Sequence, residues 1–206
     1  MQADFKKELL RKGLHLSSFW MVAVLYFVPS FWAAVLFGSM FVIGLAVEYG
    51  YHHKIKFFYP VYKVIFERML REREKAGEKF TLSGGVWMLL AAFLCAVLFS
   101  HENAAIAFSI MLLSDTAASL VGHKFGKTKI YGNKSLQGTL AGFAVACATV
   151  IAYGVAFDFT LASYIIGIAA AAVACWTELY TKWLRIDDNL SVTMAAGLVL
   201  SLRNLL

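Results

Sequence analysis

Seven uninterrupted apolar runs, at residues 14–29, 31–51, 81–99, 103–122, 136–156, 160–181 and 189–204, take up most of this chain. A helix needs about 20 apolar residues to cross a bilayer. Five of the runs meet that length. The first and last are short enough to be tilted or partly interfacial. The apolar positions are continuous rather than alternating, which argues against strands. Hydrocarbon admits only helices or closed barrels. The runs therefore predict an all-α, polytopic membrane bundle of seven transmembrane helices, forming one domain over residues 1–206. Composition agrees: 60% of the residues are hydrophobic and 16% are charged. Soluble domains carry about 25% charge, and disorder needs low hydrophobicity.

The connections between the runs alternate in charge. Four basic residues precede the first run: Lys6, Lys7, Arg11 and Lys12. Eight lie between the second and third: Lys54, Lys56, Lys63, Arg68, Arg71, Arg73, Lys75 and Lys79. Lys124, Lys127, Lys129 and Lys134 lie between the fourth and fifth, and Lys182 and Arg185 between the sixth and seventh. Only Arg203 remains for the other side. The positive-inside rule then gives a cytoplasmic N-terminus and an outside C-terminus, in a plasma or inner membrane. The net charge of +6 is thus a topology signal, and no nucleic-acid partner is expected. The first run lacks a small-residue cleavage motif and reads as a span, not a cleavable signal. Cys95, Cys147 and Cys175 lie inside apolar runs and read as packing residues.

Residues 52–80 form the one long connection. Phe57, Phe58, Val61, Ile65, Met69 and Leu70 recur there at roughly helical spacing among basic residues. This pattern predicts an amphipathic helix on the cytoplasmic leaflet, anchored to anionic lipid.

His15, Glu48, Asp115, Glu178, Asp187 and Asp188 all fall at or near cytoplasmic ends of the runs. A carboxylate within a span normally faces the bundle interior and has a partner. For Asp115 the plain reading is a buried pair with a Lys or a hydroxyl. Converging carboxylates (Asp115, Glu48, Glu178, Asp187 and Asp188) suggest instead a divalent-cation site. Mg²⁺ takes one or two carboxylates together with substrate phosphates. The connection Gly122-His-Lys-Phe-Gly126-Lys127-Thr128-Lys129-Ile130-Tyr131-Gly132-Asn133-Lys134-Ser135 is basic and glycine-rich. Gly122, Lys124, Gly126, Lys127 and Lys134 there suit phosphates, although the spacing is not that of a P-loop. Ser135 or Asn133 can cap the fifth helix. Gly138 and Gly142 form a G-x-x-x-G pattern, most often a close helix crossing. Asp187-Asp188-Asn189 supplies a helix cap with acid to spare. His52 and His53 read as loop surface.

The combination resembles the CTP-dependent lipid kinase family of dolichol kinase, phytol kinase and yeast-type diacylglycerol kinase, itself similar to phosphatidate cytidylyltransferase. Four pieces carry the resemblance. They are Arg11-Lys12-x-x-His15, Ser114-Asp115-Thr116-Ala117-Ala118-Ser119-Leu120-Val121-Gly122-x-x-Phe125-Gly126, Asn133-Lys134-Ser135-Leu136-x-Gly138-Thr139, and Asp187-Asp188-Asn189-Leu190-Ser191-Val192. The resemblance implies that Asp115 binds metal or orients the triphosphate. Lys134 and the 122–129 segment would hold phosphates, with Ser135, Gly138 and Asn189 beside them. Asp187, Asp188 and Asn189 would complete a Mg²⁺–CTP site. Lys12 and His15 would line the lipid-hydroxyl side, with His15 a general base. The partners implied are a membrane lipid, a nucleoside triphosphate and the bilayer. Two positions depart from the pattern. Gln137 stands where the cytidylyltransferases usually have an acid, and Thr193 where a proline usually follows Asp-Asp-Asn. Cytidylyl transfer to phosphatidate remains the alternative reaction, and a small transporter the non-enzyme alternative.

Overall fold

The protein's computed structural model describes residues 2–56, 59, 60, 64, 80–132, 134–184 and 186–205. In chain order these form α1 (Gln2–Ser17), α2 (Trp20–Phe27), α3 (Ser30–His52), α4 (Gly84–Leu98) and α5 (His101–Phe125). A hairpin of β1 (Lys129–Tyr131) and β2 (Lys134–Ser135) follows. The chain then continues through α6 (Leu136–Ala156), α7 (Leu161–Leu184), α8 (Asp188–Leu200) and a 3₁₀ turn, Ser201–Leu205. The expected all-α bundle is present, with the small hairpin as an addition.

Four of the seven runs fold as helices long and apolar enough to cross a membrane: α3, α5, α6 and residues Leu161–Thr181 of α7. The third run gives a shorter apolar helix, α4, of 15 residues. The seventh gives the 13 residues of α8. The first run is interrupted: α1 ends at Ser17 and the 8-residue α2 begins at Trp20. The amphipathic helix expected within 52–80 falls mainly on residues 57, 58, 61–63 and 65–79, outside the described residues.

The bundle is organised around α5. Of its apolar window 72% is buried, against 11% for α3, so α5 is the axis and α3 a peripheral helix. Lipid is as apolar as leucine, so helices in a membrane associate through close packing, which small residues permit. Ala104, Ala105, Ala107 and Ser109 supply that surface on α5 and are fully buried. The most extensive contact is α5 with α6. There the expected G-x-x-x-G packing is present. A Cβ on Gly138 would lie 2.6 Å from the Ala118 carbonyl oxygen and 3.0 Å from Gly122 Cα. Ser100 caps α5 by accepting from the Asn103 amide at 3.4 Å. The three cysteines are free, and Cys95 is fully buried, as packing residues should be.

Arg203 donates to Glu102 Oε1 at 2.6 Å and Asn103 Oδ1 at 3.0 Å. Its guanidinium also stacks 3.7 Å from the Phe159 ring centroid. Helix α1 is amphipathic but inside out. It buries Lys12 and His15 while leaving Leu9, Leu10 and Leu14 about half exposed.

Candidate active site

Helix α1 carries Lys12 and His15 one turn apart on a single face, and that face lies against α5. Lys12 Nζ donates to Asp115 Oδ2, and His15 Nε2 approaches the same oxygen at 3.4 Å. One turn earlier, Glu8 accepts from Ser119 Oγ and from Arg11 Nη2 at 2.7 Å. Glu8 and Lys12 are four apart, as are Asp115 and Ser119. Two rungs therefore join antiparallel helices in register. Lys12, His15 and Asp115 are each at least nine-tenths buried. Burying two charges carries a desolvation penalty that their attraction roughly offsets, so such a pair is poor evidence of a stability role. The His15 Nε2 atom has no hydrogen-bond partner.

A second pair flanks this one. Lys134 on β2 donates to Glu178 on α7. Burial works against the Lys134 ammonium, but the Glu178 and Asp115 carboxylates outweigh it and hold the group above its ordinary range. Lys134 is therefore within electrostatic reach of Asp115. Ser135, next along, caps α6 by accepting from the Gly138 amide at 3.2 Å.

The glycine-rich connection is shorter than expected. Residues 122–125 are the last turn of α5, and the free loop begins at Gly126. Gly122 and Gly138 face each other across the α5–α6 crossing, and a Cβ on Gly126 would meet Ser135 Oγ at 2.6 Å. These three glycines thus let Ser135 sit between two helix ends. Lys124 and Lys127 stand exposed on the surface. Gln137 Oε1 accepts from the Lys127 and Thr128 amides at 3.1 and 3.3 Å, closing the loop. Gly132, with φ of 56°, makes the turn between the strands. Such φ values suit glycine at a two-residue hairpin connection, and this was the overlooked signal for a hairpin. Asn133 lies outside the described residues.

At α8, Asp187 is the cap, accepting from the Asn189 amide at 3.1 Å and its Nδ2 at 2.9 Å. Thr193, standing where a proline was expected, is buried in the helix and donates to Asn189 O at 2.6 Å. Asn189 Nδ2 also reaches Gly84 O at 3.0 Å. Glu48 accepts from the Ser83 amide at 2.9 Å and from Ser83 Oγ. Glu48 and Asn189 thereby clasp the start of α4.

These elements enclose a cavity of about 520 Å³. Arg11, His15, Glu48, Asp115, Asp188 and Asn189 line its polar part; Leu14, Met21, Met40, Val86 and Leu89 line an apolar part. His15, Asp115, Glu48, Asp188 and Asn189 are thus brought together, while Lys12 holds Asp115 and Lys134 holds Glu178. Among the described residues no three His, Cys, Asp or Glu side chains form a group able to hold a metal ion. The five carboxylates do not converge as a ready-made cage: Asp115, Glu48, Glu178 and Asp187 are engaged by Lys12, Ser83, Lys134 and Asn189. The contributions of Glu8, Ser119, Ser83 and Gly84 were missed by sequence reasoning. Only Glu8, at i, i+3 and i, i+4 from Arg11 and Lys12, left a trace.

The cytidylyltransferase family's sequence profile matches residues 7–202. The uncharacterized protein RP860 of Rickettsia prowazekii is 32% identical over 93% of this chain and 92% of its own length. CTP-dependent diacylglycerol kinase 1 of Schizosaccharomyces pombe is 31% identical, over 43% of this chain and 42% of its own. Its namesake in Saccharomyces cerevisiae is 30% identical, over 46% of this chain and 33% of its own. The chain therefore aligns with less than half the length of these two kinases. No solved structure matches. The resemblance drawn from the four motifs agrees with these relatives, and the chain belongs to the cytidylyltransferase family.

Proposed function

We propose that the protein is an integral-membrane lipid kinase that transfers the γ-phosphoryl group of CTP to the hydroxyl of a membrane lipid. A diacylglycerol, a polyprenol or a phytol-like alcohol would each present the required group. The observation that carries this reading is the cavity, where a buried Lys12–Asp115–His15 cluster meets an apolar wall. An amphipathic acceptor matches that division: its hydroxyl lies at His15 and its chain along Met21, Met40 and Leu89.

In this reaction the lipid oxygen attacks the γ-phosphorus, the bond to the β-bridging oxygen breaks, and CDP leaves with that electron pair. The hydroxyl proton passes to His15 Nε2, the buried ring nitrogen without a partner. Lys12 pairs with Asp115, and Asp115 steadies the His15 imidazolium as it forms. Lys134 holds phosphate oxygens, with the exposed Lys124 and Lys127 on the same connection. Phosphoryl transfer asks the protein mainly for positioning and charge. The donor set fits Mg²⁺, which takes one or two carboxylates with substrate phosphates: Asp115 and Asp188 both line the cavity. Those two carboxylates would hold the ion beside the phosphates. When bound, Mg²⁺ neutralises charge on the phosphates.

The same reading places the site on the cytoplasmic face, with seven spans in one domain and an N-terminus inside. The outward Leu9 and Leu10 of α1 then face acyl chains, and the first span consists of the second half of α1 with α2. The single outer basic residue, Arg203, is tied to Glu102.

Cytidylyl transfer to phosphatidate is the second reading, favoured by the family match itself. Against it, the position of the usual acid is occupied by Gln137, which closes the loop. The two readings differ at His15. A phosphatidate oxygen already carries charge and needs no base. Accordingly, His15→Asn should lower kcat for lipid phosphorylation by about 10²–10⁴-fold, with nucleotide binding kept. Undiminished kcat would refute the base.

A further inference from the structure

Neither strand of the hairpin has a role in the reaction beyond Lys134, yet the hairpin carries an aromatic ring to the edge of the phosphate-holding pair. Tyr131 is the register partner of Lys134 across the hairpin. Its ring meets that of Tyr180 with centroids 5.4 Å apart and planes at 42°. Tyr180 lies on α7 two positions beyond Glu178, the partner of Lys134. Two rungs therefore join β2–β1 to α7: an ion pair, and beside it a pair of rings. Both rings are partly open, 39% of Tyr131 and 41% of Tyr180 being exposed. Tyr131 stands on a polar hairpin flanked by the exposed Lys127 and Lys129, not on an apolar helix face. Aromatic rings are enriched at the membrane–water interface, and Trp176, a turn deeper in α7 and packed edge-on to Tyr180 at 5.8 Å, is a ring on a span. Tyr131 stands on the hairpin instead.

We propose that Tyr131 and Tyr180 form the stacking platform for the nucleobase of the nucleotide whose phosphates Lys134 holds. The inference rests on the kinase reading, or equally on cytidylyl transfer, since both need a nucleoside triphosphate at Lys134. A ring platform beside a lysine ammonium is what a nucleotide presents to a protein in reverse: a flat apolar base at one end and a charged phosphate at the other. Stacking is tolerant of which base is present, because every base has a π-face. The platform supplies affinity for the nucleoside part.

The test is equilibrium binding of CTP and of inorganic triphosphate to the detergent-solubilised full chain, with Tyr131→Ala, Tyr180→Ala and Tyr131→Phe. The platform predicts that each alanine variant weakens CTP by about fivefold to a hundredfold and leaves inorganic triphosphate unchanged. Tyr131→Phe, which keeps the ring, binds CTP as the wild type does. CTP affinity unaltered in both alanine variants would overturn the platform while leaving the kinase reading intact. So would an equal loss of CTP and triphosphate, which marks a collapsed hairpin, or a loss of membrane insertion alone, which marks an interfacial anchor. A wild-type protein that binds neither ligand would overturn both readings together.

Discussion

Asp115→Asn is the perturbation whose consequences can be worked furthest. It puts a carboxamide of the same shape in place of the carboxylate and removes the charge opposite Lys12, whose side chain is only 2% exposed. Removing one partner of a buried pair costs about 3–5 kcal/mol, because the remaining charge stays desolvated and unpaired. For a chain of this size, each kcal/mol corresponds to about 2–4 °C in thermal midpoint. A fall of roughly 10 °C is expected, measured by thermal unfolding in detergent. Loss of activity in this variant alone would therefore be ambiguous. The second variant, Lys12→Met with Asp115→Asn, removes both charges. Replacing a buried pair with uncharged groups of similar volume is often neutral, so most of the midpoint should return. Phosphoryl transfer should not return, since the charge that steadies His15 and would hold Mg²⁺ is gone. If Asp115→Asn unfolds at the wild-type temperature, the pair is not desolvated as described. If the double variant transfers phosphate at the wild-type rate, Asp115 has no part in the reaction.

Other expectations follow from single contacts. Gly138→Ala should destabilise the bundle more than Gly142→Ala: its Cβ would meet the Ala118 carbonyl oxygen at 2.6 Å, whereas that of Gly142 would meet Ala118 Cβ at 3.0 Å. Equal thermal midpoints would contradict the crossing. Gly13→Ala, where a Cβ has nothing within 4 Å, should stabilise α1 by about 0.5–1 kcal/mol, read as a higher midpoint. The Lys134–Glu178 pair raises the Lys134 pKa above the lysine range. Its contribution to stability is therefore full below the ordinary lysine pKa of about 10.4 and fades as pH rises through the folded value. Glu178→Gln should remove that alkaline dependence from the unfolding profile, and an unchanged profile would show the pair to be open to solvent. Glu48→Gln, which loses the charge that holds Ser83, should lower stability and leave the Mg²⁺ concentration dependence of activity unchanged; a shifted Mg²⁺ requirement would return Glu48 to the metal site.

The apolar runs announced the bundle because a long helix in hydrocarbon must be apolar over most of its surface. They were weaker at the first run. Ser17 and Ser18 there look compatible with a span, and only the backbone shows that α1 ends at Ser17 and α2 begins at Trp20. The packing of α1 against α5 explains why the polar side of α1 faces inward, a choice that hydropathy does not register. Asp115 stood out as a carboxylate within an apolar run. Its partner did not, because Lys12 lies 103 positions away and reads locally as one more topology charge. The plain reading of Asp115, a buried pair with a lysine, and the functional reading turn out to describe the same cluster. Gly122 was read toward phosphate, since a glycine-rich basic connection invites it; the structure sets it against Gly138 at the helix crossing that the spacing of Gly138 and Gly142 already suggested. Glu48 and Glu178 were grouped with Asp115 by depth alone. Depth places residues in a layer and leaves their neighbours undefined, and here Ser83 and Lys134 are nearer than any other carboxylate.

The central claim is that a lipid hydroxyl attacks the γ-phosphorus of CTP. Purified protein with Mg²⁺ and a mixed pool of neutral lipids and phosphatidate, given CTP labelled separately at the α- and γ-phosphates, tests it most directly. The account predicts label in lipid from the γ position alone, with the labelled product naming the lipid class. Label from the α position alone would contradict it and establish cytidylyl transfer at the same cavity.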